Sequence, residues 1–165
     1  MTPPDESVSF EGATLPAVGL VAELSDEDRA MLSSYGQFGF LEAGHLAIRQ
    51  GTPQDRLYFV ISGVFHAKRE DEGRETFLGT ISQGEWFGEI NIFDPSAASA
   101  TVSAVGATQL WSISREELLA YLGTYSEAGL QLMIGIATNL SRRMRNVSKK
   151  LAMHSEYEDL ATRIH

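Results

Sequence analysis

The chain has 165 residues, of which 43% are hydrophobic and 21% charged, and its formal net charge is −9. This length and composition suit one globular domain with a tail and exclude a chain that is disordered throughout. The lack of cysteine excludes disulfides and thiolate metal sites, and the acidic balance disfavours nucleic acid and anionic membranes as general partners. No apolar run approaches the roughly 20 residues of a membrane span, and the N-terminus lacks a secretory pattern, so we expect a cytoplasmic protein.

The N-terminal part predicts a tail followed by a short helix. Residues 1–15 hold two prolines and three acidic residues with little apolar periodicity, which is typical of a flexible tail, and order is expected from near Val18. Ser25 precedes the acidic run 26–28, and this order predicts an N-cap with favourable charges in the first helical turn. Gly36 is the predicted end of that helix.

The middle of the chain predicts an all-β domain. Across 37–113, short apolar and β-branched segments alternate with glycine-bearing turns at intervals of roughly ten residues, a pattern typical of a sandwich or barrel. The run 57–61 is aromatic and β-branched and ends at a Ser-Gly pair, so a buried strand is predicted there. The segment 71–74 predicts a hairpin turn in which Gly73 can adopt a positive φ.

Two helices are predicted after the strands. Ser114 and Glu117 have the spacing of a capping box, so a helix should begin at Arg115 and end at Gly123. A second helix should run from about Ser126 into the 150s. Its apolar residues recur at spacings of three and four and form one narrow seam, made of Met133, Ile136 or Ala137, Leu140, Met144, Val147 and Leu151.

A seam this narrow is typical of a coiled coil, and it predicts a parallel homodimer through the C-terminal helix. Five basic residues lie off the seam, namely Arg142, Arg143, Arg145, Lys149 and Lys150. We interpret them as the solvated outer face of the dimer helix. Binding of nucleic acid or of an acidic partner is the alternative, but direct DNA binding is not expected because the rest of the chain is strongly acidic.

The most informative stretch is 86–102. An aromatic residue, a glycine and a glutamate begin it, a short apolar turn follows, and a run of small residues leads into the β-branched pair 101–102. Small residues allow a backbone loop to approach a small molecule closely. This pattern predicts a ligand pocket.

Two segments of this stretch, 87–90 and 99–102, resemble the phosphate-binding cassette of the cyclic-nucleotide-binding domain family. The glycines at the family's turn positions extend the likeness over about 18–123, and they are Gly44, Gly51, Gly63, Gly84 and Gly88. The resemblance implies a mainly β fold, a β-roll or double-stranded jelly roll with flanking helices and a long C-terminal helix. It also implies a cyclic nucleotide, cAMP or cGMP, bound by Phe87, Gly88, Glu89, Ile90, Ala98, Ser99, Ala100 and Thr101.

The family's chemistry gives these residues roles. Glu89 would accept a hydrogen bond from a ribose 2′-hydroxyl beside the bare backbone of Gly88, while Ser99 and Ala100 would offer a hydroxyl and a backbone N–H to a phosphate oxygen. The position of the family's phosphate-pairing arginine is held by Ala98, and no Arg or Lys occurs between Glu89 and Thr101. A charge-assisted hydrogen bond contributes about 1.5–3 kcal/mol, so affinity should fall by about two to four decades.

Three functions therefore remain open. The first is a regulatory sensor module with weakened or altered ligand specificity, and the second is an ordinary cAMP- or cGMP-binding protein that uses another basic residue. Candidates for that residue are Arg49, Arg56, Lys68, Arg69 and Arg74. The third is a cupin-like metalloenzyme, which is disfavoured because the histidines are scattered singly, at His45, His66, His154 and His165.

No nucleophile elbow or Walker loop occurs in the sequence, so we expect neither an enzyme nor a resident cofactor or metal. The expected organisation is a flexible tail at 1–15, a β-roll domain with flanking helices at 16–125 and a dimerisation helix with a tail at 126–165. The residues left after the long helix, 154–165, are too few for a helix-turn-helix module. An unidentified downstream protein would then receive the signal.

Overall fold

The computed structural model describes residues 13–163, except for the side chains of residues 157, 159 and 161–163. Most of the predicted tail therefore lies outside the described residues. Its last residue, Leu15, is only 1% exposed, and its N–H donates to Ser33 Oγ at 2.8 Å. The prediction that order begins near Val18 places its start too late, because burial of the apolar side chain and a hydrogen bond from the backbone N–H hold Leu15 against the first helix.

The N-terminal helix forms where the sequence predicts it. A short 3-10 turn at Gly19–Val21 precedes helix α1, which spans Asp26–Tyr35. Ser25 caps α1, since its Oγ accepts a hydrogen bond from the Asp28 N–H at 3.1 Å, and acidic residues fill the first turn. Gly36 follows the last helical residue, as predicted.

Within residues 13–163, eight antiparallel strands form two four-stranded sheets, which confirms the mainly β fold. The strands are β1 (Gln37–Leu41), β2 (Leu46–Ile48), β3 (Arg56–Ser62), β4 (Phe65–Asp71), β5 (Arg74–Ile81), β6 (Trp86–Phe87), β7 (Thr101–Ala104) and β8 (Thr108–Ser114). One sheet has the order β1-β8-β3-β6 and the other β2-β7-β4-β5. The non-sequential order is that of a jelly roll.

Two local predictions in the β region are confirmed. The apolar run 57–61 lies within β3, and Leu57, Phe59 and Val60 are fully buried. The β4–β5 hairpin turns at Glu72 and Gly73, which have φ of 51° and 77°. Two consecutive positive φ values match the twist of the flanking strands, so the turn closes the hairpin without splaying it.

Two apolar cores lie on either side of the sheet that contains β3. The helical-side core joins the N-terminal segment and the helices to β3, β6 and β8, and its largest members include Trp86, Trp111 and Tyr121. The roll core lies between the two sheets and includes Val60, Phe65 and Phe87. The segment after β6 contributes residues to both cores, so a single short stretch contacts both halves of the domain.

The C-terminal helices follow the predicted signals with one correction. Both hydrogen bonds of the Ser114–Glu117 capping box are present at the start of α3, which spans Arg115–Thr124. Gly123 does not end α3, since the helix includes it and continues to Thr124. Helix α4 then spans Ser126–Arg163. No helix within residues 13–163 is long and apolar enough to cross a membrane.

The predicted seam of α4 is divided between two environments. Met133, Ile136 and Leu140 pack against the helical-side core, so this part of the seam is covered by the chain's own domain. Met144, Val147 and Leu151 are 71%, 57% and 66% exposed. The interpretation of one continuous partner face is therefore wrong for the first half of α4, because helical periodicity identifies an apolar face but not what covers it.

On the first half of α4, apolar residues outside the predicted seam are exposed. Leu130 and Ile134 are 61% and 58% exposed, although they do not belong to the predicted seam. Leu130 lies seven residues before Ala137 and fourteen before Met144, so these residues share one face of a heptad pattern. The exposed apolar stripe, defined here as Leu130, Ile134, Ala137, Met144, Val147 and Leu151, runs along most of α4.

Candidate ligand site

The stretch 86–102, called the cassette from here on, joins β6 to β7 through the short helix α2 at Glu89–Phe93. Trp86 and Ile92 pack in the helical-side core. Phe87 and Ala98 pack in the roll core, where Phe87 stacks on Tyr58 with ring centroids 4.8 Å apart. The cassette therefore contributes side chains to both cores, and a displacement of its backbone would disturb the packing of both.

Gly88 occupies a position that only glycine fits. Its φ is 85°, in the left-handed region that disfavours residues with a Cβ atom. A Cβ atom added there would lie 2.5 Å from the backbone oxygen of Arg56. The cassette can approach β3 this closely only because Gly88 has no side chain. This close approach sets the position of the next residue, Glu89.

Glu89 is a buried carboxylate held by an arginine of α4. Its side chain is 8% exposed, and Oε1 accepts a hydrogen bond from Arg143 Nη1 at 2.5 Å. Arg143 Nη2 donates to the backbone oxygen of Trp86 at 2.7 Å. Burial of a carboxylate is tolerated when it is paired in this way. Oε2 of Glu89 accepts no hydrogen bond from any described residue.

The placement of Arg143 on a solvated face was therefore wrong. The spacing along α4 could have predicted its contact with the cassette. Arg143 lies seven residues after Ile136 and three after Leu140, so the three share one face of the helix. That face is the packed one, which places the guanidinium against the cassette. Arg142, Arg145, Lys149 and Lys150 are exposed, as predicted.

The other end of α2 is also held by an arginine. Arg115, the first residue of α3, donates from Nε to the backbone oxygen of Ile92 at 2.9 Å, and its own N–H donates to the backbone oxygen of Asp55 at 2.8 Å. Asn91 donates from Nδ2 to the backbone oxygen of Ser96 at 2.8 Å, which closes the loop after the helix. Two consecutive helices, α3 and α4, therefore each hold one end of α2.

Ala98 is held by backbone hydrogen bonds and apolar packing. Its N–H donates to the oxygen of Thr52, and its oxygen accepts from the N–H of Gly51, both at 2.8 Å. Its side chain is 4% exposed and packs in the roll core. A methyl group fits this position, whereas an arginine would need a polar partner or a path to solvent.

The residues after Ala98 present free polar groups. Ser99 is exposed, and the backbone N–H groups of Ser99 and Ala100 donate to no described residue. Thr101 Oγ1 accepts from the Gln50 N–H at 3.0 Å. Ile90, also predicted to contact the ligand, is 58% exposed. The structure thus places Glu89 beside α4 and the free amides at the start of β7.

The five basic candidates differ in their distance from the cassette. Arg69 Nη1 donates to the backbone oxygen of Ser99 at 3.4 Å. Lys68 pairs with Glu75 at 2.9 Å, and Arg56 donates from Nε to Ser112 Oγ at 3.3 Å, on β8. Arg49 lines a groove together with Arg69 and Thr101, whereas Arg74 lies opposite Asp71 in the hairpin.

Metal chemistry finds no support in the described side chains. Within them, no group of three or more histidine, aspartate or glutamate residues is arranged to hold a metal ion. His66 contacts Phe77 edge-on, and His154 lies 3.5 Å from Glu158 on α4. His165 lies outside the described residues.

Comparison with known proteins identifies the family. The family model of the cyclic nucleotide-binding domain matches residues 39–125. The chain belongs to this family. Its cassette and β-roll are therefore those of a cyclic nucleotide-binding domain, as the resemblance at 87–90 and 99–102 predicted.

Individual relatives are regulators. The chain is 33% identical over 110 residues to the CRP-like cAMP-activated global transcriptional regulator of Mycobacterium tuberculosis H37Rv, covering 66% of this chain and 47% of the relative. It is 30% identical over 91 residues to the cAMP-dependent protein kinase regulatory subunit of Mycosarcoma maydis, covering 55% and 17%. The catabolite activator protein of Thermus thermophilus superposes with a TM-score of 0.72 at 30% identity, covering 82% of this chain and 62% of that one. The chain spans about half the length of its CRP-like curated relatives.

Proposed function

We propose that this cyclic nucleotide-binding domain is a regulatory sensor whose affinity or specificity for cyclic nucleotides is altered at Ala98. The observation that carries the proposal is the state of the cassette. Gly88 and the buried Glu89 are retained, while the side chain at position 98 is a methyl packed in the roll core. The site therefore keeps its sugar-side acceptor and has no positive charge on the cassette itself.

The binding mode follows from the free polar groups. A ribose hydroxyl donates to Oε2 of Glu89, since Oε1 already accepts from Arg143. A phosphate oxygen accepts from the free N–H groups of Ser99 and Ala100 and from the Ser99 hydroxyl. Each neutral hydrogen bond contributes about 0.5–1.5 kcal/mol, against about 1.5–3 kcal/mol for one to a charged group. The expected result is weak binding.

The signal would pass from the cassette to α4 through Arg143. A ligand that donates a hydrogen bond to Glu89 changes the position of the carboxylate that Arg143 contacts, and so would favour one position of α4 over another. The exposed apolar stripe of α4 is the surface on which that change would be read. We propose that it pairs in parallel with the same stripe of a second copy and that the dimer controls a separate partner protein. The proposed organisation stays at 16–125 for the sensor and 126–165 for dimerisation.

Calorimetry with cAMP and cGMP tests the effect of Ala98. The wild-type chain should bind weakly, and Ala98→Arg should bind about 100-fold to 10,000-fold more tightly because the new guanidinium pairs with the phosphate. Ala97→Arg is the matched control, because Ala97 is exposed and adjacent. A thermal melt of each variant establishes that it is folded.

The outcomes separate clearly. Sub-micromolar binding by the wild-type chain would contradict the weakened site and favour an ordinary cAMP- or cGMP-binding domain. A folded Ala98→Arg variant that binds neither nucleotide would sink the proposed function. Equal gains for Ala97→Arg and Ala98→Arg would show that only the net charge matters.

Sedimentation tests the dimer. The wild-type chain should sediment as a dimer, and Leu151→Lys should shift it to the monomer because a lysine on the exposed apolar stripe places like charges together. Met153→Lys is the control, since Met153 is 60% exposed and Leu151 66% but Met153 lies off the stripe. A wild-type monomer at all concentrations would remove the dimer from the mechanism.

A further inference from the structure

A buried polar atom of the cassette has no hydrogen-bond partner among the described residues. This atom is Nε1 of the Trp86 indole, in a side chain that belongs to the helical-side core. The other tryptophan differs, since Trp111 Nε1 donates to the backbone oxygen of Ser33 at 3.1 Å. Buried donors in folded proteins are almost always paired, either with protein or with an ordered water molecule. The Trp86 indole N–H therefore needs an acceptor outside the described residues.

Trp86 lines a small cavity between the cassette and α4. The cavity has a volume of about 10 Å³, which is close to the smallest volume that holds one water molecule. Glu89, Asn139 and Arg143 share its walls with Trp86, and the remaining walls are apolar side chains. Polar groups of the cassette and of α4 therefore meet at this cavity.

Two of the other wall residues also have polar atoms without a described partner. Glu89 Oε1 accepts from Arg143, whereas Oε2 accepts from no described residue. The side-chain amide of the half-buried Asn139 likewise makes no hydrogen bond with any described residue. Asn139 lies four residues before Arg143, so both project from one side of α4. A donor, an acceptor and an amide thus surround one cavity.

We infer that one water molecule occupies this cavity and links the cassette to α4. The water accepts from Trp86 Nε1–H and donates to Glu89 Oε2 and to the amide oxygen of Asn139, so each of the three residues gains a partner. A larger ligand does not fit the volume, and an apolar one would leave the polar atoms unpaired.

The bound water makes Trp86 and Asn139 positioning residues for Glu89, in addition to Arg143. A carboxylate oxygen has two lone pairs, so Oε2 can accept from the water and from a ribose hydroxyl together. The water site itself is independent of the ligand, whereas its effect on ligand binding rests on the proposed function.

NMR of the isotope-labelled chain without nucleotide tests the site, because the two tryptophans give two indole N–H resonances. The Trp86 resonance should show NOE and ROE cross-peaks to water with opposite signs, which distinguishes a bound water from proton exchange. The Trp111 resonance should show neither, because its N–H is already bonded to Ser33. In Glu89→Gln the Trp86 resonance should shift and the Trp111 resonance should stay in place.

Two substitutions on α4 form a matched pair. Asn139→Leu replaces the amide by an apolar group of similar size at the cavity, so the water cross-peaks of Trp86 should be lost. Asn146→Leu is the control, because Asn146 is exposed on the same helix and does not line the cavity. A thermal melt establishes that both variants are folded. Under the proposed function, Asn139→Leu should also weaken cAMP binding about threefold to tenfold.

The outcomes distinguish the water site from the function. A wild-type Trp86 resonance without water cross-peaks would overturn the inference, and so would cross-peaks that persist in Asn139→Leu. Equal cAMP affinities in Asn139→Leu and Asn146→Leu would contradict the positioning of Glu89 by the water. Water cross-peaks in a chain that does not bind cAMP would support the water site and remove the proposed function alone.

Discussion

The two halves of the cassette are held in different ways. The first half, 86–93, is fixed by side chains of the helical region, because Arg143 binds Glu89 and Arg115 binds the backbone of Ile92. The second half, 97–101, is fixed by the β-roll, through the backbone of residues 51 and 52 and the Gln50 N–H. Its amides at Ser99 and Ala100 donate to no residue that the structure describes.

This difference separates two tasks within one loop. Under the proposed function, the half that contacts α3 and α4 transmits a displacement to the long helix, and the half with free amides binds the phosphate. A ligand in contact with both halves would then connect the roll to the helices. In a two-state element, differential binding of this kind is what a regulatory response requires.

The largest effect should follow from breaking the junction between β6 and α2. Gly88→Ala should destabilise the domain by about 2–4 kcal/mol, because the positive φ costs about 1–2 kcal/mol and the new Cβ meets the Arg56 backbone oxygen. Gly44→Ala is the control, since its φ is 82° but nothing lies within 4 Å of its added Cβ. Denaturant unfolding measures both. Equal losses of unfolding free energy in Gly88→Ala and Gly44→Ala would mean that the close approach to β3 contributes nothing to the effect.

The contact between Glu89 and Arg143 should come next. Arg143→Ala leaves a buried carboxylate without its partner, and we expect a loss of about 2 kcal/mol, reduced from the value for a fully buried pair because Arg143 is 38% exposed. Arg142→Ala is the control on the solvated face and should change stability by less than about 0.5 kcal/mol. A double-mutant cycle with Glu89→Gln measures the coupling. Coupling near zero would remove the proposed route from cassette to α4.

The contact at the other end of α2 should be weaker. Arg115→Gln loses a hydrogen bond to the Ile92 oxygen, for which we expect about 1 kcal/mol. Hydrogen exchange should report faster opening of 90–94 with little change in β7, because the second half of the cassette does not contact α3 through this bond. Uniform acceleration over the whole cassette would show that its halves do not act separately.

The sequence identified features whose cause is local. Ser25 and the Ser114–Glu117 box specify helix starts within four residues, and Gly73 specifies a hairpin turn, so each forms as predicted. The resemblance at 87–90 and 99–102, together with the glycines at the family's turn positions, identified the β-roll. None of these predictions required knowledge of tertiary contacts.

The features that were missed depend on distant pairs. Arg143 and Glu89 are 54 residues apart, and only the packing of α4 on the helical-side core brings them together. The same packing covers Ile136 and Leu140 but exposes Leu130 and Ile134. Arg69 was one of the five basic candidates, but its contact with Ser99, 30 residues away, forms only through the register of β4 on β7. A single sequence specifies such pairs only through the completed fold.

The smallest predicted effect concerns the second half of the cassette. Thr101→Val preserves shape but removes the oxygen that accepts from the Gln50 N–H, so we expect a loss of about 0.5–1 kcal/mol in the free energy of unfolding. Thr76→Val is the control, because Thr76 is exposed on β5. Hydrogen exchange should accelerate at 50–52 and 98–101 and stay unchanged at Glu89. If exchange at Glu89 accelerates equally, the two halves are one cooperative unit and the division between binding and transmission does not hold.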